Sequence, residues 1–261
     1  MQINPFVKKR RQFIGLTIIL TIFTFASIII TEYDVVKGFT SAPRAINWMI
    51  ANLYPKEEAL KNLPRILDKL GETVIISIGS TTVASIFALM FAILGSKTTK
   101  VNNVLSLFSR LTASIFRNIP IVAWAMVLLF SFGQSSFTGY LALFFVTFGF
   151  LTRAFMETID EASFSCVEAL RATGANYIHI IFQAVLPSSI PQIISWMLFM
   201  IETNIRSSTL IGILTGTGIG FSFNLYYKSM NYNAASLVVI SIVCTVLLIE
   251  LLSNYIRRVI L

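Results

Sequence analysis

Long apolar runs separated by short polar segments dominate this chain of 261 residues. A helix that crosses a bilayer needs about 20 largely apolar residues. Six runs approach or exceed this length: Phe13–Ile30, Val74–Leu94, Leu105–Phe130, Phe137–Phe155, Ile190–Leu214 and Ala234–Tyr255. The third and fourth share a charge-free stretch, which the turn-forming residues from Ser131 to Gly139 divide. The pattern therefore predicts an all-α integral membrane protein with six transmembrane helices.

The polar segments between these runs divide the chain further. In one of them Leu60, Leu63, Ile66, Leu67 and Leu70 recur near helical spacing, which is typical of an interfacial helix and equally of a solvated, partly helical connector. The predicted organisation is a basic N-terminus at 1–12, a first transmembrane helix at 13–31, an external loop at 32–73, a core of five transmembrane helices at 74–256 that includes a cytoplasmic loop at 157–187, and a C-terminus at 257–261.

The composition agrees with a membrane location and decides the orientation. Hydrophobic residues make up 56% of the chain and charged residues 12%, about half the share found in soluble proteins. The formal net charge of +8 reflects basic residues retained on the cytoplasmic side rather than nucleic-acid binding. With both termini cytoplasmic, eleven Lys and Arg residues fall inside and seven outside. We therefore expect a multi-pass protein with both termini in the cytoplasm.

Residues for catalysis and metal binding are scarce. The chain has one histidine, His179, and two cysteines, Cys166 and Cys244, which lie in different segments. These do not form a metal site, a redox pair or a catalytic cluster. A Walker-type Gly-rich loop with its lysine is also missing. The sequence therefore predicts neither an enzyme nor a chain that hydrolyses ATP by itself.

The loop at 157–187 carries its own helix boundaries. Thr158 to Glu161 fits a capping box, Gly174 suits a left-handed C-terminal cap, Asn176 is a good N-cap, and Pro187 follows the second helix. Each of the two predicted helices has an apolar stripe, formed by Cys166, Ala169, Leu170 and Thr173 on the first and by Ile178, Ile181, Phe182 and Val185 on the second. These stripes must pack against the membrane helices, the bilayer surface or a soluble partner.

Three elements of this loop resemble the cytoplasmic signature of ABC importer permeases. Glu168-Ala169-Leu170, then Gly174, then Leu186-Pro187 have the family's spacing, with Leu170 in place of an alanine and Ala184 in place of an isoleucine. The resemblance implies that the second helix is a coupling helix, which docks on a cytoplasmic ATPase. The implied ATPase-coupling residues are Glu168, Ala169, Gly174, Ala175, Tyr177, Ile178, Ile181, Leu186 and Pro187.

A narrower resemblance covers most of the chain beyond the first span. The segments 116–130, 149–161, 168–175 and 202–221 are similar to permeases of phosphonate importers, which also handle phosphite and related oxyanions. The resemblance implies the type I ABC importer permease fold in a bacterial inner membrane. It also implies a homodimer of permeases, an ATPase dimer that carries ATP and Mg²⁺, an external substrate-binding protein, and no cofactor on this chain. A permease for another solute such as an amino acid, an ATP-independent secondary transporter and a membrane enzyme are the alternatives.

A few polar residues lie within the predicted spans, where ionisable groups are costly and mark a partner or a water-filled path. Glu202 and Arg206 are four residues apart and share a helix face. Arg117 precedes Pro120, which should interrupt the third span. We expect Arg117, Asn204 and Arg206 to line a path for a small anion, with Glu202 holding Arg206. The alternative is that Glu202 and Arg206 only fix helix packing.

Overall fold

The computed structural model describes residues 5–260, so that residues 1–4 of the predicted N-terminus and residue 261 of the predicted C-terminus lie outside it. The first of two compact units ends at Tyr54. It contains helix α1, Pro5–Ile30, and helix α2, Val35–Asn52. The Asp34 carboxylate caps α2 by accepting the N–H of Lys37 at 2.9 Å. The sequence predicted α1 as a span but did not predict α2.

The second unit, from Pro55 onward, holds the remaining helices. They are α3 Glu57–Leu60, α4 Leu63–Gly95, α5 Asn103–Asn118, α6 Ile121–Phe132, α7 Ser136–Ala162, α8 Phe164–Ala172, α9 Tyr177–Ile180, a π-helical turn Ile181–Val185, α10 Leu186–Thr215, α11 Gly218–Lys228 and α12 Tyr232–Ile260. Across the described part of both units, five helical runs are long and apolar enough to span a membrane, and the pair α5 and α6 makes a sixth if it counts as one broken span.

The third predicted span, Leu105–Phe130, is not one continuous helix. The chain turns by 91° between α5 and α6, at Pro120. Proline has no N–H to donate, and its ring clashes with the preceding turn of a helix. The indole ring of Trp124 stacks on the ring of Phe116 at 5.3 Å, which packs the two arms of the bend together.

The predicted interfacial helix near Leu60–Leu70 is wrong as a separate element. All of it from Leu63 onward forms the first turns of α4, which begins there rather than at the predicted Val74. Ile66 is fully buried, in a cluster with Ile219 and Val238. The leucine-rich segment therefore packs on α11 and α12, and the second span extends through what the sequence marked as loop.

The long helices α4 and α7 form the centre of the second unit. Ala84, Ala88 and Ala92 of α4 recur every four residues and are fully buried. They lie in one cluster with Leu151 and Phe155 of α7. Small residues at a helix interface let two backbones approach closely in a membrane protein. This packing holds the ends of α4 and α7, from which the candidate site is built.

Candidate functional site

The segment between α7 and α10, residues 163–185, is called here the coupling segment. It begins after Ala162, because α7 continues through the predicted capping box. The Thr158 hydroxyl donates to the Ala154 carbonyl at 2.9 Å inside α7 instead of capping a new helix. Phe155 and Ile159 are fully buried, so the apolar periodicity carries α7 past this point. The predicted loop boundary at residue 157 is therefore wrong.

Gly174 forms the turn between α8 and α9, as predicted. Its φ of +78° is left-handed, and the N–H of Ala175 bonds to the Leu170 carbonyl at 3.1 Å. A Cβ atom at Gly174 would meet nothing within 4 Å. The requirement for glycine is therefore conformational, since other residues pay about 1–2 kcal/mol in this region.

The second helix of the coupling segment buries a different face from the predicted one. Asn176 stands at its N-cap but makes no side-chain cap hydrogen bond. Ile180, Ile181, Ala184 and Val185 are buried, in one cluster with Val167 of α8. The predicted stripe is thus right for Ile181 and Val185 and wrong for Ile178 and Phe182, because the small side chain of Ala184 faces inward in their place.

Ile178 and Phe182 point away from the packed face. They are 64% and 65% exposed, and they lie four residues apart on the outer side of the coupling segment. The first helix behaves similarly, since Val167 is buried while Cys166, Ala169 and Thr173 of the predicted stripe are exposed and Leu170 is half-buried. Glu168 is also exposed. The coupling segment therefore has one packed face and one free face within this chain.

The coupling segment continues into α10 without a break. Tyr177 to Thr215 is one helical run, in which the π turn directly precedes Leu186 and Pro187. The N–H of Leu186 bonds to the Ile181 carbonyl, five residues back. Pro187 therefore does not end the second helix as predicted. A π turn next to a proline is physically reasonable, because the proline ring is incompatible with a regular α-helical bond at that point.

Two hydrogen bonds attach the coupling segment to residues 96–100, called here the 96–100 turn, which connects α4 to α5. Arg171 donates through Nη2 to the Thr98 carbonyl at 2.8 Å. The Tyr177 hydroxyl donates to the Thr99 carbonyl at 3.0 Å. Both contacts join residues more than 70 positions apart in the sequence. The turn therefore links the coupling segment to the end of α4.

Asp160, near the end of α7, holds the same turn from the other side. Its Oδ1 accepts the Ser96 hydroxyl at 2.6 Å, the Thr98 N–H at 3.0 Å and the Thr98 hydroxyl at 3.0 Å. Ser96 is fully buried. A cavity of about 420 Å³ lies between the turn and α8, lined by Lys97, Thr98, Asp160, Phe164, Val167, Glu168 and Arg171.

The polar residues of α10 separate onto two faces. Asn204 is 2% exposed, and its Nδ2 donates to the hydroxyls of Thr81 and Thr147, both at 2.8 Å. Asn204 therefore joins α10 to α4 and α7. Glu202 and Arg206 form the expected ion pair on another face, where the Glu202 side chain is 12% exposed and that of Arg206 is 54% exposed.

Arg117 lies elsewhere, in the last turn of α5. It is exposed and shares a small cavity with Arg110 and Arg153. Within residues 5–260 no hydrogen bond or ion pair joins it to Glu202, Asn204 or Arg206. The four predicted path residues thus fall into three separate places: helical spacing already separates Asn204 from the Glu202–Arg206 pair, whereas the separation of Arg117 from α10 depends on the packing of the helices.

The family model described as "Binding-protein-dependent transport system inner membrane component" matches residues 84–261, which is more than half of the chain. The chain belongs to this permease family. The matched range includes the coupling segment, the 96–100 turn and α10.

Two curated relatives of this permease have substrates in their names. It is 27% identical over 187 residues to the phosphite transport system permease protein PtxC of Stutzerimonas stutzeri, covering 72% of this permease and 68% of that relative. It is 28% identical over 186 residues to the phosphate-import permease protein PhnE of Mycolicibacterium smegmatis, covering 71% of this permease and 35% of PhnE.

A solved structure shows the same fold. The inward-facing MetNI methionine ABC transporter matches the permease with a TM-score of 0.68 at 19% identity, over 79% of this permease and 99% of that chain. The predicted type I ABC importer permease fold is confirmed. Three short sequence elements predicted the coupling segment. Its contacts with the 96–100 turn had no local signal in the sequence.

Proposed function

We propose that this permease imports a small phosphorus oxyanion, such as a phosphonate, phosphite or phosphate. Its relatives include permeases named for phosphite and for phosphate. Energy comes from a separate ATPase, and the observation that supports this coupling is the free apolar pair Ile178 and Phe182. That pair lies on a segment that is hydrogen-bonded to the 96–100 turn and continuous with α10.

In the proposed assembly both termini and the coupling segment face the cytoplasm. Two copies of the permease form the transmembrane pathway, and each binds one subunit of an ATPase dimer. ATP and Mg²⁺ belong to the ATPase, and the permease binds no cofactor of its own. An external binding protein delivers the substrate, in keeping with the family's description as part of binding-protein-dependent systems.

The proposed mechanism follows the contacts of the coupling segment. Closure of the ATPase dimer displaces Ile178 and Phe182. The hydrogen bonds of Arg171 and Tyr177 carry this displacement to the 96–100 turn, between α4 and α5. The continuous helix carries it to α10, which packs on α4 and α7 through Asn204. The membrane helices thereby change between outward and inward access.

Phe182 offers a direct test of ATPase docking. A charged group in an apolar groove loses its hydration without a partner, so Phe182→Glu should abolish recovery of the ATPase with tagged permease. Phe182→Leu keeps the apolar surface and should retain recovery. Equal recovery with both variants and the unchanged permease would remove the docking role of this face.

The role of Arg206 is tested by substrate uptake into proteoliposomes that contain the permease, its ATPase and its binding protein. An arginine fork suits an oxyanion because it donates two parallel hydrogen bonds. If Arg206 lines the path and Glu202 positions it, Arg206→Gln should lower uptake while assembly remains normal. Unchanged uptake would leave the Glu202–Arg206 pair as a packing element only.

The substrate is identified by comparing the uptake of candidate compounds. In proteoliposomes that contain the permease, its ATPase and its binding protein, phosphite, methylphosphonate and inorganic phosphate are compared with methionine. Uptake of a phosphorus compound that requires ATP supports the proposal. Uptake of methionine alone would favour an amino acid permease, and uptake without the ATPase would favour a secondary transporter.

A further inference from the structure

Three arginines converge on the groove between α5 and α7. Arg110 and Arg117 lie seven residues apart on α5, about 10 Å along one face of the helix. Arg153 comes from the facing helix α7. Together they line a cavity of about 60 Å³, whose other lining residues are Ala113, Ser114 and Met156. This cavity is called here the arginine pocket.

The arginine pocket has no carboxylate in its lining. Arg110 uses its Nε to donate to the Gly95 carbonyl at 2.9 Å, which neutralises no charge. Arg153 pairs with Glu157 at 2.6 Å, but both side chains are at least half exposed, so the pair is weak. Arg117 has no ion pair among the described residues. The pocket therefore carries an excess of positive charge that an anion would balance.

A second cavity adjoins the arginine pocket and leads toward the 96–100 turn. It measures about 150 Å³ and shares Arg110, Arg153 and Met156 with the arginine pocket. Its remaining lining residues are Lys97, Glu157, Asp160 and Glu161, which give it roughly balanced charge. The excess of positive charge is therefore greater in the arginine pocket than in the adjoining cavity.

The backbone holds this pocket in shape. A Cβ atom on Gly149 of α7 would lie 2.5 Å from the backbone nitrogen of Arg117 and 2.9 Å from the carbonyl oxygen of Ala113. Only glycine permits this approach of α5 to α7. The backbones of α5 and α7 are therefore in direct contact beside Arg117, one helical turn before Arg153 of α7.

From this geometry we propose that Arg110, Arg117 and Arg153 bind a tetrahedral oxyanion beside the 96–100 turn, as a transit site for the transported substrate. This inference rests on the proposed function. Three guanidinium groups offer planar forks that pair with phosphate-type oxygens. The same chemistry would recognise a phospholipid headgroup, because basic pockets between membrane helices bind anionic lipids.

The first experiment measures binding of inorganic phosphate to the full chain in nanodiscs of zwitterionic lipid. Arg110→Gln, Arg117→Gln and Arg153→Gln should each raise the dissociation constant by about tenfold or more, since each removes a charged hydrogen-bond donor. The control Arg258→Gln makes the same charge change at the exposed end of α12 and should leave binding within about twofold. Equal affinity in all four variants would overturn the site.

A second arm separates substrate from lipid. If the pocket holds a headgroup, nanodiscs with phosphatidylglycerol should abolish phosphate binding to the unchanged permease. Retained phosphate binding in these nanodiscs supports the transit site, and its loss overturns it. Arg117→Lys keeps the positive charge but loses the planar guanidinium fork. It should bind phosphate more weakly than the unchanged permease but more tightly than Arg117→Gln. Recovery of the ATPase with each variant confirms that it has folded and assembled.

Uptake of phosphite by the reconstituted transporter distinguishes failure of the transit site from failure of the proposed function. If the unchanged transporter imports no phosphorus oxyanion, the proposed function fails, whatever phosphate binding shows. If it imports phosphite and the pocket variants import it at the rate of Arg258→Gln, the proposed function stands and the transit site is overturned. A fall in uptake that parallels the loss of phosphate binding supports both.

Discussion

The hydroxyl of Tyr177 donates a hydrogen bond to the carbonyl oxygen of Thr99 at 3.0 Å. This contact joins the first residue of α9 to the turn that connects α4 with α5. Arg171 makes a parallel contact to the neighbouring carbonyl of Thr98. The coupling segment, which continues into α10, is therefore also attached to α4 and α5 through the turn that connects them.

Removing the Tyr177 hydroxyl tests this attachment. One hydrogen bond contributes about 1 kcal/mol, which changes a two-state coupling equilibrium by about fivefold. In Tyr177→Phe we expect the ratio of substrate imported to ATP hydrolysed to fall by a factor of this order, with ATPase recovery unchanged. Tyr255→Phe, at an exposed tyrosine of α12, is the matched control. An unchanged ratio in Tyr177→Phe would show that this bond transmits no motion.

Replacing Asp160 tests the other anchor of the 96–100 turn. In Asp160→Ala the buried hydroxyls of Ser96 and Thr98 lose their acceptor, while the Thr98 N–H keeps only its bond to the Ser96 hydroxyl oxygen at 3.1 Å. Buried donors without partners cost about 1–3 kcal/mol each, so we expect a loss of about 2–4 kcal/mol in unfolding free energy. Denaturation in detergent measures this loss, and Asp68→Ala, at an exposed aspartate of α4, should be nearly neutral. Equal stability of the two variants would contradict the anchoring role.

Asn204 should act through packing. Asn204→Ala removes the hydrogen bonds to Thr81 and Thr147, and such interhelical bonds in membrane proteins contribute about 0.6 kcal/mol each on average. We expect a loss of stability of about 1–2 kcal/mol, with the preference among phosphite, methylphosphonate and phosphate unchanged. Thr81→Val should cost less in the Asn204→Ala background than alone. A changed substrate preference at normal stability would instead place Asn204 on the path.

Gly149 and Gly79 form a matched pair of substitutions. In Gly149→Ala the new methyl group would collide with the backbone of α5, and overpacking of this kind costs about 1–3 kcal/mol. In Gly79→Ala the nearest atom is a Tyr140 ring carbon at 3.7 Å, an ordinary contact. Thermal unfolding of the two variants should therefore differ clearly. Similar melting temperatures would mean that α5 and α7 separate at little cost.

The membrane helices could be predicted from sequence because span length and apolarity are set by the bilayer. Proline chemistry likewise predicted the interruption at Pro120, and the conformational freedom of glycine predicted the turn at Gly174. The ion pair of Glu202 with Arg206 followed from helical spacing. These features depend on neighbours in sequence or on a general property of the membrane.

Features that depend on distant neighbours were not predictable. Periodicity placed Ile178 and Phe182 in the packed stripe, whereas the groove formed by other helices accepts Ile180 and Ala184. The segment that begins α4 looked like a loop because its charged residues hide the burial of Ile66 against α11 and α12. Arg110 and Arg153 looked like ordinary cytoplasmic positive charges until the packing of α5 on α7 brought them beside Arg117.

The helical run from Tyr177 to Thr215 contains 39 residues and no loop. A coupling segment joined to its membrane helix by a flexible linker would lose part of any displacement in that linker. Here Ile178 and Phe182, the proposed ATPase contact, belong to the same continuous helix as α10. The π turn is the place along this continuous helix where regular α-helical hydrogen bonding is already altered. Bending should therefore concentrate there, and the remainder of α10 should move as a unit.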